Sequence, residues 1–480
     1  MDKNAIKKYA VWARNELLER VSQRAMIYGI TAKEAGDPNA ESVNGHLLSQ
    51  KEKRQRQALI RNIKAKGFEQ VMEEVAYTWF NRFAALRFME VNGYLPSHIR
   101  VFTNDAGEFK PQILSEAIHL DLDGLDMNRV YELESTNKSE ELFKYLLIVQ
   151  CNALNSILPG MFQKIDDYTE LLLPDYLLRE GSVIEQMIST IPEEDWTDQV
   201  QIIGWLYQYY ITEPKDTRIN ARKQYIDSDI PFVTQLFTSD WIVRFMVENS
   251  LGRLWKENHN SSKLFDAWDY YVEESADKAE SQDLDSSRFT DSVSSPIQIK
   301  CIDPCSGSGH IVVYAFDILV QIYQEYGFSQ REAAEQIVKN NIYALDIDER
   351  AVQLTYFSIM MKARQYDRRF FTKKIQPNVY RITSSKGVSD ISVSYFAGKD
   401  SEVRENVEKL LKAFECGNVY GSLIRPYGID FGLLEKRLYE VEAQTDLFSI
   451  HAKLITIFKI NDVLPIAGLA AIVIKLSLDI

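Results

Sequence analysis

The residues 299 to 310, IKCIDPCSGSGH, join an apolar run to a small turn carrying two glycines, with Asp303 and Pro304 at the junction. A glycine-rich turn between a strand and a helix brings bare backbone against a ligand at the carboxyl edge of a sheet. Several ligand classes use that geometry. A phosphate-binding loop needs Lys followed by Ser or Thr after its last glycine, and here His310 and Ile311 follow Gly309. The dinucleotide fingerprint needs a small residue three beyond the second glycine, where this chain has Val312. An acid immediately before the turn repels a pyrophosphate, but it suits a ligand that carries an ammonium group beside a carboxylate. A second acid, Asp346, closes the next apolar run, IYALD, and is placed to accept from ribose hydroxyls. An amino-acid end joined to a ribose describes S-adenosylmethionine. The alternative is that Asp303 and Asp346 only cap helices, and a nicotinamide-dependent oxidoreductase is a weaker one.

The elements around the turn must position these acids. From 297 the pattern alternates between strand and helix. Ile297, Ile299 and Cys301 lead into the turn, and Ile311, Tyr314, Ala315, Ile318, Leu319 and Ile322 mark one face of a helix leaving it. Ser329 and Glu332 form a capping box for a second helix. A strand over 342–347, a helix over 349–363 and a strand over 379–382 follow. The order predicts an α/β doubly wound, Rossmann-like domain, read as a parallel sheet. Upstream, PFVTQLFTSDWIVRFMVENSLGRLW at 231–255 predicts a short extended run ending at Phe237. Thr238 or Ser239 caps the helix that follows, with Ile242, Phe245, Met246 and Leu251 on one face.

Residues 1–230 predict a mainly α domain, and 231–480 a partial S-adenosylmethionine-binding domain with an incomplete sheet and an acidic insertion at 266–295. In 68–95, Val71, Val75, Trp79, Phe83 and Leu86 recur at helical spacing before Asn92-Gly93 stops the helix. Further helices are predicted at 140–157 and at 196–211, the latter capped by Asp195. Residues 266–291 hold nine acidic against two basic residues and predict a surface loop.

The formal net charge of −14 counts against polyanion binding by the chain as a whole. It hides a local excess: residues 1–70 carry 14 basic against 8 acidic side chains. The densest stretch holds Lys51, Lys53, Arg54, Arg56 and Arg61, with Lys64 and Lys66 beyond them. It is a candidate for tracking nucleic-acid phosphates, with a solvated helix face as the simpler alternative. Four scattered cysteines and six histidines show no zinc-ligand spacing, so no metal is expected. The charged N-terminal segment and the apolar run 463–474, interrupted by Pro465, predict a cytoplasmic protein that engages no membrane.

DPCSGSGH, with LFTSDWIVRFMVENSLG upstream and YALDIDERAVQL downstream, resembles the gamma group of adenine-specific DNA methyltransferases. In that group a phenylalanine-threonine element precedes a DPxxGSG turn. The helical lead TWFNRFAALRFMEVNGYL narrows the resemblance to the large phage-defence methyltransferases of the phage growth limitation (PglX) or BREX type, over about residues 1–460. It implies that Phe237 and Thr238 contact the methionine end of S-adenosylmethionine. Asp303, Cys305, Gly307 and Gly309 would line the amino-acid pocket, and Asp346 would bind the ribose. Double-stranded DNA and other BREX defence proteins are the implied partners. Where the family follows its threonine with proline, this chain has Ser239.

The resemblance also implies an Asn/Asp-Pro-Pro-Tyr/Phe motif after the fourth strand, to hold the flipped adenine. The chain has no Pro-Pro pair, and after LFSIHAKLITIFKINDVL it reads PIAGLAAIVIKLSLDI. The expectation is a truncated or frame-shifted version of a longer enzyme, inactive alone because the base-binding motif is missing, with the catalytic residues therefore unknown. A noncatalytic DNA-binding or assembly module is the alternative from another class. Arg425-Pro426-Tyr427 is no substitute for the motif, because Arg accepts no hydrogen bond. The sequence around Asp175 lacks a neighbouring Lys and is not read as a nuclease centre.

Overall fold

The computed structural model describes residues 1–163, 167–221, 223–227, 229–273 and 293–443. Most of the acidic insertion, the fourth-strand segment and the apolar run 463–474 lie outside the described residues. The chain divides into two compact units, one over Met1–Asn220 and one from Ala221 onward.

The first unit is helical apart from a hairpin of β1 (Ser42–Val43) and β2 (His46–Leu47). Its centre is the helix Phe68–Val91, which buries Val71, Val75, Trp79, Phe83 and Leu86 as their spacing predicts. Asn92 and Gly93 end it, with Gly93 at φ 64°. A helix spans Ser139–Leu154. The next predicted helix starts later than expected, at Gln201. Asp195 does not cap it; its carboxylate accepts from the Asp2 N–H at 2.7 Å. The chain also brings Lys144 to Asp175 at 2.6 Å and Arg24 to the same carboxylate at 3.0 Å. Burial alone would raise the Asp175 carboxyl, but these two cations hold it below its ordinary value. This lysine comes from the helix Ser139–Leu154, while Asp175 lies in a bend, so no local spacing announces the pair.

The basic stretch lies on the helix Gln50–Lys66, and only part of it faces solvent. Arg56 is 2% exposed and donates Nε to the Tyr28 carbonyl at 2.8 Å, with its other nitrogens on the carbonyls of Asp37 and Ala35. Arg56 is therefore a structural tie inside the unit, which corrects its reading as a phosphate contact. Lys51 pairs with Glu170 and Lys53 with Glu41. Arg54, Arg61 and Lys64 are exposed, and no carboxylate pairs with them among the described residues.

The second unit holds a parallel sheet of three strands in the order β3 (Cys301–Asp303), β4 (Ile342–Asp346), β5 (Asn378–Arg381). Ile302, Tyr343 and Leu345 share a core with Val393, Val407, Leu410 and Leu438, from the helices Asp390–Ala397, Ser401–Ala413 and Phe431–Ala443, and with Phe414 at the end of the second. Side chains alternate along a strand, so this core takes one face of the sheet. The helices His310–Glu325 and Glu349–Tyr366 also pack on the strands. Strands separated by helices and running parallel are the predicted order, within a unit that is mostly helical.

Three local expectations are corrected. Ile297 falls in a 3-10 turn, Pro296–Gln298, and only Cys301–Asp303 forms strand, because Pro296 starts a capped turn. Phe237 follows a short helix, Ile230–Val233, rather than an extended run. The helix Asp240–Val247 buries Val243 and Val247, while Phe245 is 37% exposed, so its inward face is rotated from the one predicted. The capping box of Ser329 and Glu332 forms as the sequence indicates.

Candidate cofactor site

The site is built at the carboxyl ends of β3 and β4. Asp303 is the last residue of β3 and Asp346 the last of β4. The turn between β3 and its helix spends its backbone donors on these acids and on the sheet. Cys305 N–H donates to Asp303 Oδ1 at 3.1 Å, Ser306 N–H to the Leu345 carbonyl at 2.9 Å, and Gly307 N–H to Asp346 Oδ2 at 2.9 Å. Asp348 N–H completes the hold on Asp346 through Oδ1 at 2.8 Å. A phosphate cradle works the opposite way, with such N–H groups presented to the ligand. Here they orient carboxylates, and the turn favours a cationic or hydroxyl-bearing ligand.

Asp303 is 4% exposed, and its Oδ2 is buried without a hydrogen-bond partner among the described residues. Burial pushes its pKa up to about 6, against the lowering effect of the Cys305 hydrogen bond. Asp346 is also pushed up to about 6 by burial, with Asp348 and Asp303 adding to the rise. An orphaned buried carboxylate oxygen costs free energy unless a donor arrives. An ammonium group fits that oxygen, and the remaining lone pairs of Asp346 fit hydroxyls. The Cys305 thiol reaches solvent, yet desolvation of the turn and the neighbouring Asp303 and Asp346 push it up to about 12.

The two glycines do different work. Gly309 has φ 86°, and a Cβ there would lie 3.1 Å from the Cα of Thr355. It lets the turn meet the helix Glu349–Tyr366, where Thr355 Oγ1 donates to the Gly307 carbonyl at 3.0 Å and Ser358 Oγ to the Ser308 carbonyl at 3.2 Å. Gly307 has φ 55°, and a Cβ there would meet nothing within 4 Å. Its open side leaves room for a ligand against the backbone.

Phe237 reaches the same turn. Its ring stacks on His310, the first residue of the helix after the turn, with centroids 4.8 Å apart and planes 25° apart. Thr238 is half-buried beside it, and Ser239 precedes the helix Asp240–Val247 without a side-chain capping bond.

Two curated proteins match this chain along most of its length. Over 465 residues it is 39% identical to the adenine-specific methyltransferase PglX of Lacticaseibacillus casei (strain Zhang), covering 88% of this chain and 38% of that protein. Over 485 residues it is 39% identical to the adenine-specific methyltransferase BrxX of Escherichia coli O9:H4 (strain HS), covering 93% of this chain and 40% of that protein. The chain is similar to both methyltransferases over about nine tenths of its own length. It spans about two fifths of their length. No family model matches it.

In this chain the segment of Phe237 and the turn from Asp303 to Gly309 meet through the Phe237–His310 stack, and Asp346 is tied to that turn. The basic helix Gln50–Lys66 belongs to the first unit. Sequence reasoning missed His310 and Thr355. In the sequence His310 stands only where a phosphate loop would carry Lys, and Thr355 lies on a helix face whose contact with the turn no local pattern reports. Asp348 also escaped notice, although its place between Asp346 and Arg350 is a readable capping signal: it accepts from Arg350 N–H at 3.0 Å. Among the described residues no helix is long and apolar enough to cross a membrane, and no group of three His, Cys, Asp or Glu could hold a metal ion.

Proposed function

We propose that this chain binds S-adenosylmethionine and forms the cofactor half of an adenine-specific DNA methyltransferase of phage defence. The observation that carries the proposal is the buried Asp303 carboxylate with its unpartnered Oδ2, at the start of a turn whose Gly307 has an open side, in a chain similar to PglX and BrxX. Asp303 would take the ammonium, with Cys305, Gly307 and Gly309 lining the amino-acid pocket. Phe237 and Thr238 would close on the methionine end, and Asp346 would accept from the ribose hydroxyls. The three strands would then be the first part of a doubly wound, Rossmann-like sheet.

When bound, the sulfonium cofactor supplies an activated methyl group. The chain's own residues hold it at the sheet edge, exclude water from its charged end and fix its direction, which is where most of the rate gain from proximity comes from. Gripping an adenine amine needs further acceptors and a stacking ring. In the resembled family an Asn/Asp-Pro-Pro-Tyr/Phe motif would supply them, and these 480 residues contain no Pro-Pro pair.

Duplex DNA is the proposed polyanionic partner. Among the residues of the basic helix, Arg54 and Arg61 remain available, with Lys64 on the same side, since positions seven and ten apart lie within a quarter turn. That stripe also favours the second reading, a noncatalytic DNA-binding or assembly module of a defence system. Thermal denaturation with ligands separates the readings. S-adenosylmethionine or its demethylated product at about 100-fold over its Kd should add about 2.7 kcal/mol of stability, with no shift from a nicotinamide dinucleotide or ATP. No upshift with either sulfur-containing ligand would leave only the noncatalytic module.

A further inference from the structure

The segment 235–239 carries Phe237 and Thr238 but lies outside helix and strand, so something must fix it over the site. Fixing such backbone costs about 1 to 2 kcal/mol per residue. The structure shows where it is held. His310 stacks on Phe237 at 4.8 Å and is 9% exposed, so the imidazole forms a nearly buried shelf for the phenyl ring. The same imidazole faces Asp240, with Nε2 at 3.5 Å from Oδ1.

Asp240 is itself fixed, accepting from Arg244 Nε at 2.8 Å. The Arg244 guanidinium lies 5.2 Å over the Tyr314 ring, and Tyr314 donates its hydroxyl to Glu248 at 2.6 Å. Contacts thus alternate between the helix Asp240–Val247, with Glu248 beyond it, and the helix His310–Glu325. His310 stands at the end of this seam, immediately after Gly309. One ring therefore touches both halves of the candidate pocket, the glycine turn by covalent continuity and the Phe-Thr segment by stacking.

We infer that His310 is a positioning residue: its ring seats Phe237, and with it Thr238, against the cofactor turn, and Asp240 orients the imidazole. The inference rests on the cofactor-site proposal above. It assigns the seating to the aromatic stack, with the Asp240 contact secondary.

Amide hydrogen exchange of 235–239 and calorimetric titration with S-adenosylmethionine test it on the full chain. His310→Ala and His310→Asn should both speed exchange of this segment without ligand and weaken cofactor binding by roughly 5- to 10-fold, the worth of an aromatic pair. His310→Phe, which keeps the stack and loses the Asp240 contact, should restore both to within about 3-fold. Exchange and affinity unchanged in His310→Ala would overturn the positioning role while leaving the cofactor site standing. Rescue by Asn instead of Phe would overturn the assignment to the stack. No binding by the unsubstituted chain would remove the cofactor-site proposal itself, and the positioning role with it.

Discussion

Gly307 donates its backbone N–H to Asp346 Oδ2 at 2.9 Å, so the turn that leaves β3 is fastened to the acid that ends β4. Asp303 ends β3 immediately before that turn and accepts from its Cys305 N–H, so one short turn donates to both carboxylates. Both are desolvated, and both have pKa values raised to about 6 from an ordinary value of 3.8.

That rise makes cofactor binding pH-dependent. A cationic ammonium favours ionised Asp303, so below about pH 6 binding must first expel a proton. Affinity for S-adenosylmethionine should be flat from pH 7 to 8 and fall up to about 10-fold per unit below 6. Titrations in buffers of different ionisation enthalpy should show proton release on binding near pH 6 and none near pH 8.

The same carboxylates cost the unliganded fold stability. A folded-state pKa above the unfolded one means that the native protein holds more protons between about pH 4 and 6, so stability falls as pH rises through that window and is level above it. A shift of this size corresponds to roughly 2 to 3 kcal/mol for Asp303. Asp303→Asn should therefore raise the melting temperature at pH 7.5 by several degrees while abolishing cofactor binding, a stability gained at the expense of the site. A lowered melting temperature would mean that the ionised carboxylate is structurally satisfied.

The two glycines should fail differently. Gly309→Ala must push its Cβ into the Thr355 backbone and keep a positive φ, so a loss of about 2 to 4 kcal/mol is expected in denaturant unfolding. Gly307→Ala carries only the conformational cost, about 1 to 2 kcal/mol, but its methyl group enters the open side of the turn. It should weaken cofactor binding by much more than that stability loss suggests.

On the basic helix, the three cations that no carboxylate pairs with among the described residues should carry the salt dependence. Replacing Arg54, Arg61 and Lys64 together by Gln is expected to flatten the slope of log Kd for duplex DNA against log salt by up to about 3, since each phosphate contact contributes about 0.9. Replacing Lys51 and Lys53, already paired with Glu170 and Glu41, should change the slope by less than 1. Equal effects in mobility-shift titrations would contradict the division.

The periodic parts of the chain were legible because periodicity is a local property. Val71 through Leu86 and the Ser329–Glu332 box announce their helices within a turn or two of sequence. Asp303 and Asp346 were legible because each ends an apolar run, where a side chain must meet the sheet edge. Contacts made by folding were not. Arg56 reads as one more cation in a basic stretch until the loop carrying Ala35 and Asp37 wraps its carbonyls around it. Lys144 stands far along the chain from the Asp175 it neutralises, and Thr355 meets the glycine turn only because Gly309 lets two backbones approach. The face of the helix Asp240–Val247 was misread because its buried set is only Val243 and Val247, too few to outweigh the exposed Trp241 and Phe245 in a periodic count.

Calorimetric titration of the full chain with S-adenosylmethionine at pH 7.5, beside an Asp303→Ala variant shown by circular dichroism to be folded, bears most directly on the cofactor site. Saturable binding of one cofactor per chain, lost in Asp303→Ala, is the expected result. No binding by the unsubstituted chain, or equal binding by the variant, would contradict the assignment of Asp303 and the turn behind it to S-adenosylmethionine.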